Sequence, residues 1–502
     1  MAGSAESGRL RQAGLARQAQ GRLEEAIALL RQAVEAAPDE PDGWAALAHA
    51  CLTDRQPQTA LQVCEVGLQR LPGAPALLCA KAAVLQSLSR VAEAAGAYRA
   101  ALTADPESGP ARHGLALQAA EAGDWDAAEA LVAPLAPTPG LDWLAARIAL
   151  GRGDAEAARA RAARAEAGLA RPDQQAEAAL LLGEALDGLG RPAEAFAAFA
   201  RGKARLRGFY AERAAGREGE TDKLRRLAAW FEAADPAPWQ AAPPAGTDFG
   251  VRGHAFLLGF PRSGTTLLEQ ALAGHPDLVA LEEAPTLAEA YDAFLADAAG
   301  LERLAQLSAA EAEHWRGVYW RAVAAHGADP ASRVFLDKAP AGTLYLPLIA
   351  RLFPEATLLF AVRDPRDVVL SCFRSSFQMN ALTYAFTDLA EAARCYAASM
   401  EMMHVYRGVL PIELAEVRYE RLVDDFEAEL SRIAARLDLE MTPGMTDVAA
   451  TASRRIVRTP SASQVRVGLN RQGLGRWRAY TDDLAPALPI LRPWIERYGY
   501  EP

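Results

Sequence analysis

The sequence predicts two architectures in series: an N-terminal α-helical solenoid, then an α/β domain built on a parallel sheet. Three observations carry this. Small residues recur at a fixed 34-residue spacing in the first part. A polar, proline-rich stretch between Arg213 and Asp248 interrupts the helical pattern. After Gly250, short apolar runs alternate with helical segments. The 502 residues exceed one ordinary core, so at least two domains are expected, and 51% apolar content supports globular folding throughout. The boundaries read as 1–215 for the repeats, 216–250 for a linker and 251–502 for the α/β domain.

The repeat is anchored by Ala26, Ala60, Ala94 and Ala128, and Pro38, Pro72 and Pro106 keep the same beat. Thirty-four residues is the period of the tetratricopeptide repeat, a helix–turn–helix unit. A small alanine lets two helices approach closely, and the proline ends the second helix before the next unit begins. Trp44, Leu47, Leu61 and Tyr98 fill the spaces between helices. The phase loosens after Pro134–Pro139 and recovers around Ala158 and Ala195, which gives five or six repeats. Stacked repeats present a concave face suited to a polypeptide partner. The alternative is a purely structural arm that joins two copies in a homodimer.

Composition excludes several classes. A net charge of −11 argues against a general nucleic-acid binder. The first residues lack a basic-plus-apolar signal segment, and no apolar run approaches the ~20 residues of a membrane span. A cytoplasmic protein is the expectation. Cys51, Cys64, Cys79, Cys372 and Cys395 form no C-x-x-C pair and read as buried free thiols. The seven histidines offer no triad. His275, in Gly-His-Pro-Asp277, reads as a turn residue.

In the α/β part the expected strands are Ala255–Leu258, Leu278–Leu281, Val334–Leu336, Thr357–Val362 and Ala415–Arg418. Near-continuous apolar strands mark a sheet covered on both faces, whose ligands bind beyond the strand carboxyl ends. The first strand runs into Gly259-Phe-Pro-Arg-Ser-Gly264, and a helix opens at Thr265. Free amides and the helix dipole make that junction an anion cradle. Its spacing mimics G-x-x-x-x-G-K-[ST], but Thr265 replaces the lysine and Arg262 lies inside the loop. A nucleoside-triphosphate kinase is therefore disfavoured. The fourth strand meets Arg363-Asp-Pro-Arg-Asp367, with Asp364 as N-cap and Pro365 in the first helical turn. Ser371 lies two turns along, where it and Arg363 suit a second phosphate. Seven arginines and no acidic residue occupy 454–478, a run suited to a polyanion.

These residues resemble a known family. Phe260-Pro-Arg-Ser-Gly-Thr-Thr266 resembles the 5′-phosphosulfate loop of sulfotransferases, and Val362–Ser371 resembles their 3′-phosphate motif. Thr459–Arg466 through Gly475-Arg-Trp477 is similar to tyrosylprotein sulfotransferases and to bacterial sulfotransferases that carry tetratricopeptide repeats. The resemblance implies 3′-phosphoadenosine-5′-phosphosulfate (PAPS) as donor. It places Arg262, Ser263, Gly264, Thr265 and Thr266 at the 5′ end, and Arg363 and Ser371 at the 3′-phosphate. Tyr419, Ser461, Gln464 and Arg476 complete the donor pocket. It also implies that Glu283, the second member of Glu282-Glu283, is the base, and that Lys338 serves beside it. Ala284-Pro285 departs from the threonine and arginine that the tyrosine enzymes place there, which puts a tyrosine acceptor in doubt.

The residue types suit sulfuryl transfer to a hydroxyl. A carboxylate takes the acceptor proton, and Arg262 and Lys338 meet the charge that builds on the transferred group. No metal is demanded, since arginines and loop amides neutralise the donor. The expectation is a PAPS-dependent sulfotransferase acting on a hydroxyl acceptor, a polypeptide presented by the repeats. The rivals are a small-molecule or glycan sulfotransferase whose repeats serve assembly, and a repeat scaffold that no longer catalyses.

Overall fold

The computed structural model describes residues 2–88, 90–241, 250–454, 471 and 473–501, and the chain forms two compact units, Met1–Arg213 and Ala214–Pro502. Ser461 and Gln464, and most of the arginine run, lie outside the described residues.

The first unit is helical throughout. Its described residues form six helix pairs: Ala2–Ala19 with Leu23–Ala36, Pro41–Thr53 with Pro57–Arg70, Pro75–Ser87 with Val91–Ala104, Gly109–Ala122 with Trp125–Val132, Pro139–Gly151 with Ala155–Gly168, and Pro172–Gly188 with Pro192–Phe209. Each pair packs on the next. The four period-setting alanines are fully buried. Pro38, Pro72 and Pro106 each follow the last helical residue by two positions, at Ala36, Arg70 and Ala104. Aromatic rings fill the space that glycine leaves: a β-carbon on Gly114 would lie 2.1 Å from the Tyr98 ring, and one on Gly183 would lie 2.4 Å from Phe199. Small and large residues thus alternate across the helix contacts, as dense packing requires.

The stretch expected as a linker, 216–250, is partly built into the second unit. Helix Glu220–Ala233 buries Leu224, Leu227 and Phe231 there, and Phe231 meets Trp239 and Tyr406 edge-on or tilted at 4.9 Å. Its apolar face outweighs the polar turn before it.

The second unit holds five parallel strands: β1 (Gly253–Gly259), β2 (Leu278–Glu282), β3 (Val334–Lys338), β4 (Thr357–Val362) and β5 (Leu414–Arg418), in the order β2-β3-β1-β4-β5. All five expected strands are present, extended by one or two residues at some ends. The chain leaves β1 toward β2 and leaves β4 toward β5, so the crevice between β1 and β4 is the topological switch point where open α/β sheets bind ligands. The loop after β1 and the Arg363 turn after β4 flank it. His275 turns the chain as expected, its Nδ1 accepting from the Asp277 amide at 3.0 Å.

One close approach fixes the helix after the loop. A β-carbon on Gly274 would sit 2.0 Å from the Gly444 carbonyl oxygen, and backbone there cannot yield cheaply. Gly274→Ala is expected to cost about 3 kcal/mol of second-unit stability, measured by denaturant unfolding.

Candidate active site

The loop after β1 is a turn held in an uncommon backbone state. Gly264 has φ +95° and Arg262 φ +73°. A side chain at Gly264 would also strike the Tyr419 ring, 2.4 Å away, so this position needs glycine on both counts. Helix Thr265–Leu272 follows, and Ser263, Thr265 and Thr266 are buried at its N-terminal end. Hydroxyls and first-turn amides converge there, as an anion site requires.

The structure joins this loop to the β4 turn. Arg262 Nε donates to Ser371 Oγ at 2.9 Å, and Arg363 Nη1 donates to the Arg262 carbonyl oxygen at 3.0 Å. Ser371, paired with Arg363 in the sequence reading, therefore sits against Arg262. Arg363 is buried and stacks over Tyr419 with its guanidinium carbon 4.5 Å from the ring centre. Its Nη2 donates to the Gly473 carbonyl oxygen and lies 3.9 Å from Asp367. Asp364 caps the following helix through the Arg366 amide.

The carboxyl-terminal tail returns to the same place. Asp367 accepts from the amides of Gly475 at 2.8 Å and Trp477 at 2.9 Å. Burial pushes the Asp367 carboxyl up, against Arg363 and these two amides. Arg366 forks onto Asp364 and lies 3.7 Å from the centre of the Trp477 ring. Arg476 opens the short helix Arg476–Tyr480 at this docking point. Sequence reading placed the tail at the donor pocket but missed Asp367 as its anchor.

At the ends of β2 and β3 lies a second cluster. Lys338 is fully buried, with its Nζ 2.9 Å from Glu283, 3.2 Å from Glu282 and 3.4 Å from Glu269. Burial alone would lower its pKa. Glu269, Glu283 and Glu282 outweigh that and hold it above the ordinary lysine range. Glu283 is half-exposed and has φ +49°, a left-handed conformation in a non-glycine residue. Its amide donates to the Lys338 carbonyl oxygen at 2.8 Å. Glu269 also escaped sequence reading. Its signal was the lone carboxylate of a short helix, which burial obliges to find a cation.

Behind this cluster runs a buried polar chain. Thr286 Oγ1 donates to Asp337 Oδ2 at 2.8 Å, and the Tyr319 hydroxyl donates to the same oxygen at 2.9 Å. His254 Nε2 lies 2.9 Å from the Tyr319 oxygen. Since the Tyr319 proton is committed to Asp337, His254 donates, which fixes its Nε2–H tautomer. Burial lowers His254 to about 3 and keeps it neutral. Burial raises Asp337 to about 6 against the bonds from Thr286 and Tyr319.

A glycine-bearing loop, a buried arginine and an acid–lysine cluster thus lie together at the carboxyl ends of one parallel sheet. Sequence comparison finds two family matches within the chain. Residues 255–443 match the sulfotransferase family, and residues 17–84 match the tetratricopeptide repeat. The chain thus carries a sulfotransferase-family domain joined to tetratricopeptide repeats. An uncharacterized protein of Aquifex aeolicus is 26% identical over 274 residues, covering 49% of this chain and 35% of that protein. A Caenorhabditis briggsae protein, provisionally named a protein-tyrosine sulfotransferase, is 26% identical over 256 residues, covering 49% of this chain and 88% of its own length. The sulfotransferase domain of the Synechococcus PCC 7002 olefin synthase aligns with a TM-score of 0.36 at 23% identity, over 52% of this chain and all of that one. No helix among the described residues is long and apolar enough to cross a membrane.

The two buried titrating groups make opposed contributions to stability. Asp337, raised on folding, contributes stability below its unfolded value near 3.8 that is lost as pH rises through about 6. His254, lowered on folding, contributes stability above 6.5 that is lost as pH falls toward about 3. Asp337→Asn removes only the first. Relative to the wild type, that variant should lose on the order of 2 kcal/mol as pH falls from 6 to 4, followed by urea unfolding across pH.

Proposed function

We propose that the second unit transfers a sulfuryl group from PAPS to a hydroxyl of a polypeptide acceptor, and that the repeats present that polypeptide. The observation that supports this best is the pairing of two sites on one sheet edge. The Gly264 loop and Arg363 meet at the β1–β4 crevice, and Glu283 with Lys338 stands at the adjoining β2–β3 ends.

The residues present fit the nucleotide. Arg363 Nε is buried with no hydrogen-bond partner, a donor left over for an anion. When bound, the donor supplies the sulfuryl group and an adenosine leaving group with phosphates at both ends. In this reading Ser263, Gly264, Thr265 and Thr266 hold the 5′ end through hydroxyls and amides. Arg363 holds the 3′-phosphate, with Ser371 beside it. Tyr419 walls the pocket, Arg476 closes it from the tail, and Ser461 and Gln464 keep the donor role that the resemblance gave them.

Glu283 takes the acceptor proton. Its hydrogen bond from Lys338 keeps it aimed, and its partial exposure lets an acceptor reach it. Lys338 and Arg262 meet the charge that builds as the sulfur–oxygen bond breaks. Carboxylate, ammonium and guanidinium thus divide the work without a metal among them. A relative named for protein tyrosine supports a polypeptide acceptor. The five free, buried cysteines suit a reducing compartment such as the cytoplasm.

Glu283→Gln is expected to lower turnover by about 10²–10⁴-fold while 3′,5′-adenosine bisphosphate still binds. Radiolabel transfer to a tyrosine- and serine-bearing peptide and calorimetry check the two halves, and undiminished turnover would remove Glu283 as base. Arg363→Lys should weaken 3′,5′-adenosine bisphosphate far more than adenosine 5′-phosphate, as titration calorimetry reads. Equal loss for both would deny Arg363 the 3′ end.

A further inference from the structure

We propose that Asp337 is a positioning residue for Glu283, acting through Thr286. It touches neither donor nor acceptor; it fixes the turn that aims the carboxylate. The inference rests on the reading of Glu283 as base.

The geometry of β3 makes the argument. Successive strand residues face opposite sides of a sheet. Lys338 goes to one side and holds the Glu283 carboxylate at 2.9 Å. Asp337 goes to the other and holds Thr286 at 2.8 Å. Between them, the Lys338 carbonyl oxygen accepts from the Glu283 amide at 2.8 Å. The end of β3 thus grips the segment from Glu283 to Thr286 at three points, two of them on its last residue.

The segment needs such a grip. Glu283 sits at φ +49°, a state that costs a non-glycine residue about 1 kcal/mol or more and persists only where surroundings enforce it. Pro285 removes one backbone donor from the turn, and the Thr286 amide closes it onto the Ala284 carbonyl oxygen at 2.8 Å. The side-chain bond from Thr286 then anchors that closed turn to the sheet.

Asp337 is itself aimed. Tyr319 donates to the oxygen that Thr286 uses, and His254 donates to Tyr319. Asp337, Tyr319 and Thr286 are all buried, so this carboxylate has little water to turn toward. Both bonds fall on Oδ2, and the buried Oδ1 has no hydrogen-bond partner, so the donors from Thr286 and Tyr319 are what orient this carboxylate.

Crystal structures of the full chain carrying Thr286→Val or Thr286→Ser test the idea without any acceptor. Valine keeps the volume and removes the donor, whereas serine keeps the donor. In Thr286→Val, Glu283 is expected to leave its positive φ and its contact with Lys338; in Thr286→Ser it stays. A Glu283 that does not move in Thr286→Val overturns the inference. With labelled donor and a tyrosine- and serine-bearing peptide, Thr286→Val should lower kcat about tenfold or more, with the donor KM little changed. Thr286→Ser should recover most of that loss. Asp337→Ala, which removes the accepting oxygen, should match Thr286→Val, and the double variant should be no worse than Asp337→Ala alone. A loss shared equally by valine and serine, additive losses in the double variant, or a matching rise in donor KM would overturn it as well. If Glu283→Gln keeps full turnover, the base assignment fails; if Glu283→Gln is inactive while Thr286→Val is unimpaired, only the present inference fails.

Discussion

One ammonium group organises the carboxyl ends of β2 and β3 in the second unit. Lys338 is wholly inside, and a buried charge is tolerable only where opposite charge and hydrogen bonds replace water. Three carboxylates supply that replacement, and they come from different elements. Glu269 belongs to the helix after the anion loop, while Glu282 and Glu283 belong to the end of β2 and its turn. Removing any one partner therefore disturbs the link between the loop helix and the Glu283 turn, beyond a local contact. Glu269 is fully buried and stands 3.4 Å from the ammonium, the longest of the three approaches. Glu283 is the only one of the three with substantial exposure, which is what the proposed role as base requires.

The anion side follows a different logic. Its parts are far apart in sequence and meet through backbone atoms. Arg363 donates to the carbonyl oxygens of Arg262 and Gly473, so one guanidinium ties the β1 loop to the tail. Asp367 accepts from two tail amides one helical turn away from Arg363. Positive and negative members of the same turn thus hold the two faces of the crevice. An arginine that spends two donors on carbonyl oxygens is rigid before any ligand arrives, and rigidity in advance is what a charge-stabilising site requires.

Much of this was legible from the chain alone, for identifiable reasons. The 34-residue beat reports helix packing directly, because only a small residue fits where two helices touch. Ala26, Ala60, Ala94 and Ala128 are all fully buried. The strands were legible because burial on both faces leaves near-continuous apolar runs, as in Leu257, Leu258, Leu359 and Phe360. The anion loop was legible because glycine and a helix start carry the mechanism in the sequence itself. Helix Glu220–Ala233 fell inside the stretch expected as a linker, since its partner Tyr406 lies more than 170 positions on. Glu269 and Asp367 were missed for the same reason: what they bind is set by tertiary contact.

The dipeptide Asp337-Lys338 shows where sequence reasoning reaches its limit. Adjacent opposite charges in a sequence suggest a pair that neutralises itself. A strand forbids it. Period-two alternation sends the two side chains to opposite faces, so each buried group must find its partners elsewhere. Lys338 found three carboxylates, and Asp337 found two hydroxyls backed by a histidine. The consequence is chemical as well as structural. Had the pair closed on itself, neither face of β3 would have reached the Glu283 turn. Because it cannot close, one strand end holds both the carboxylate and the backbone that carries it.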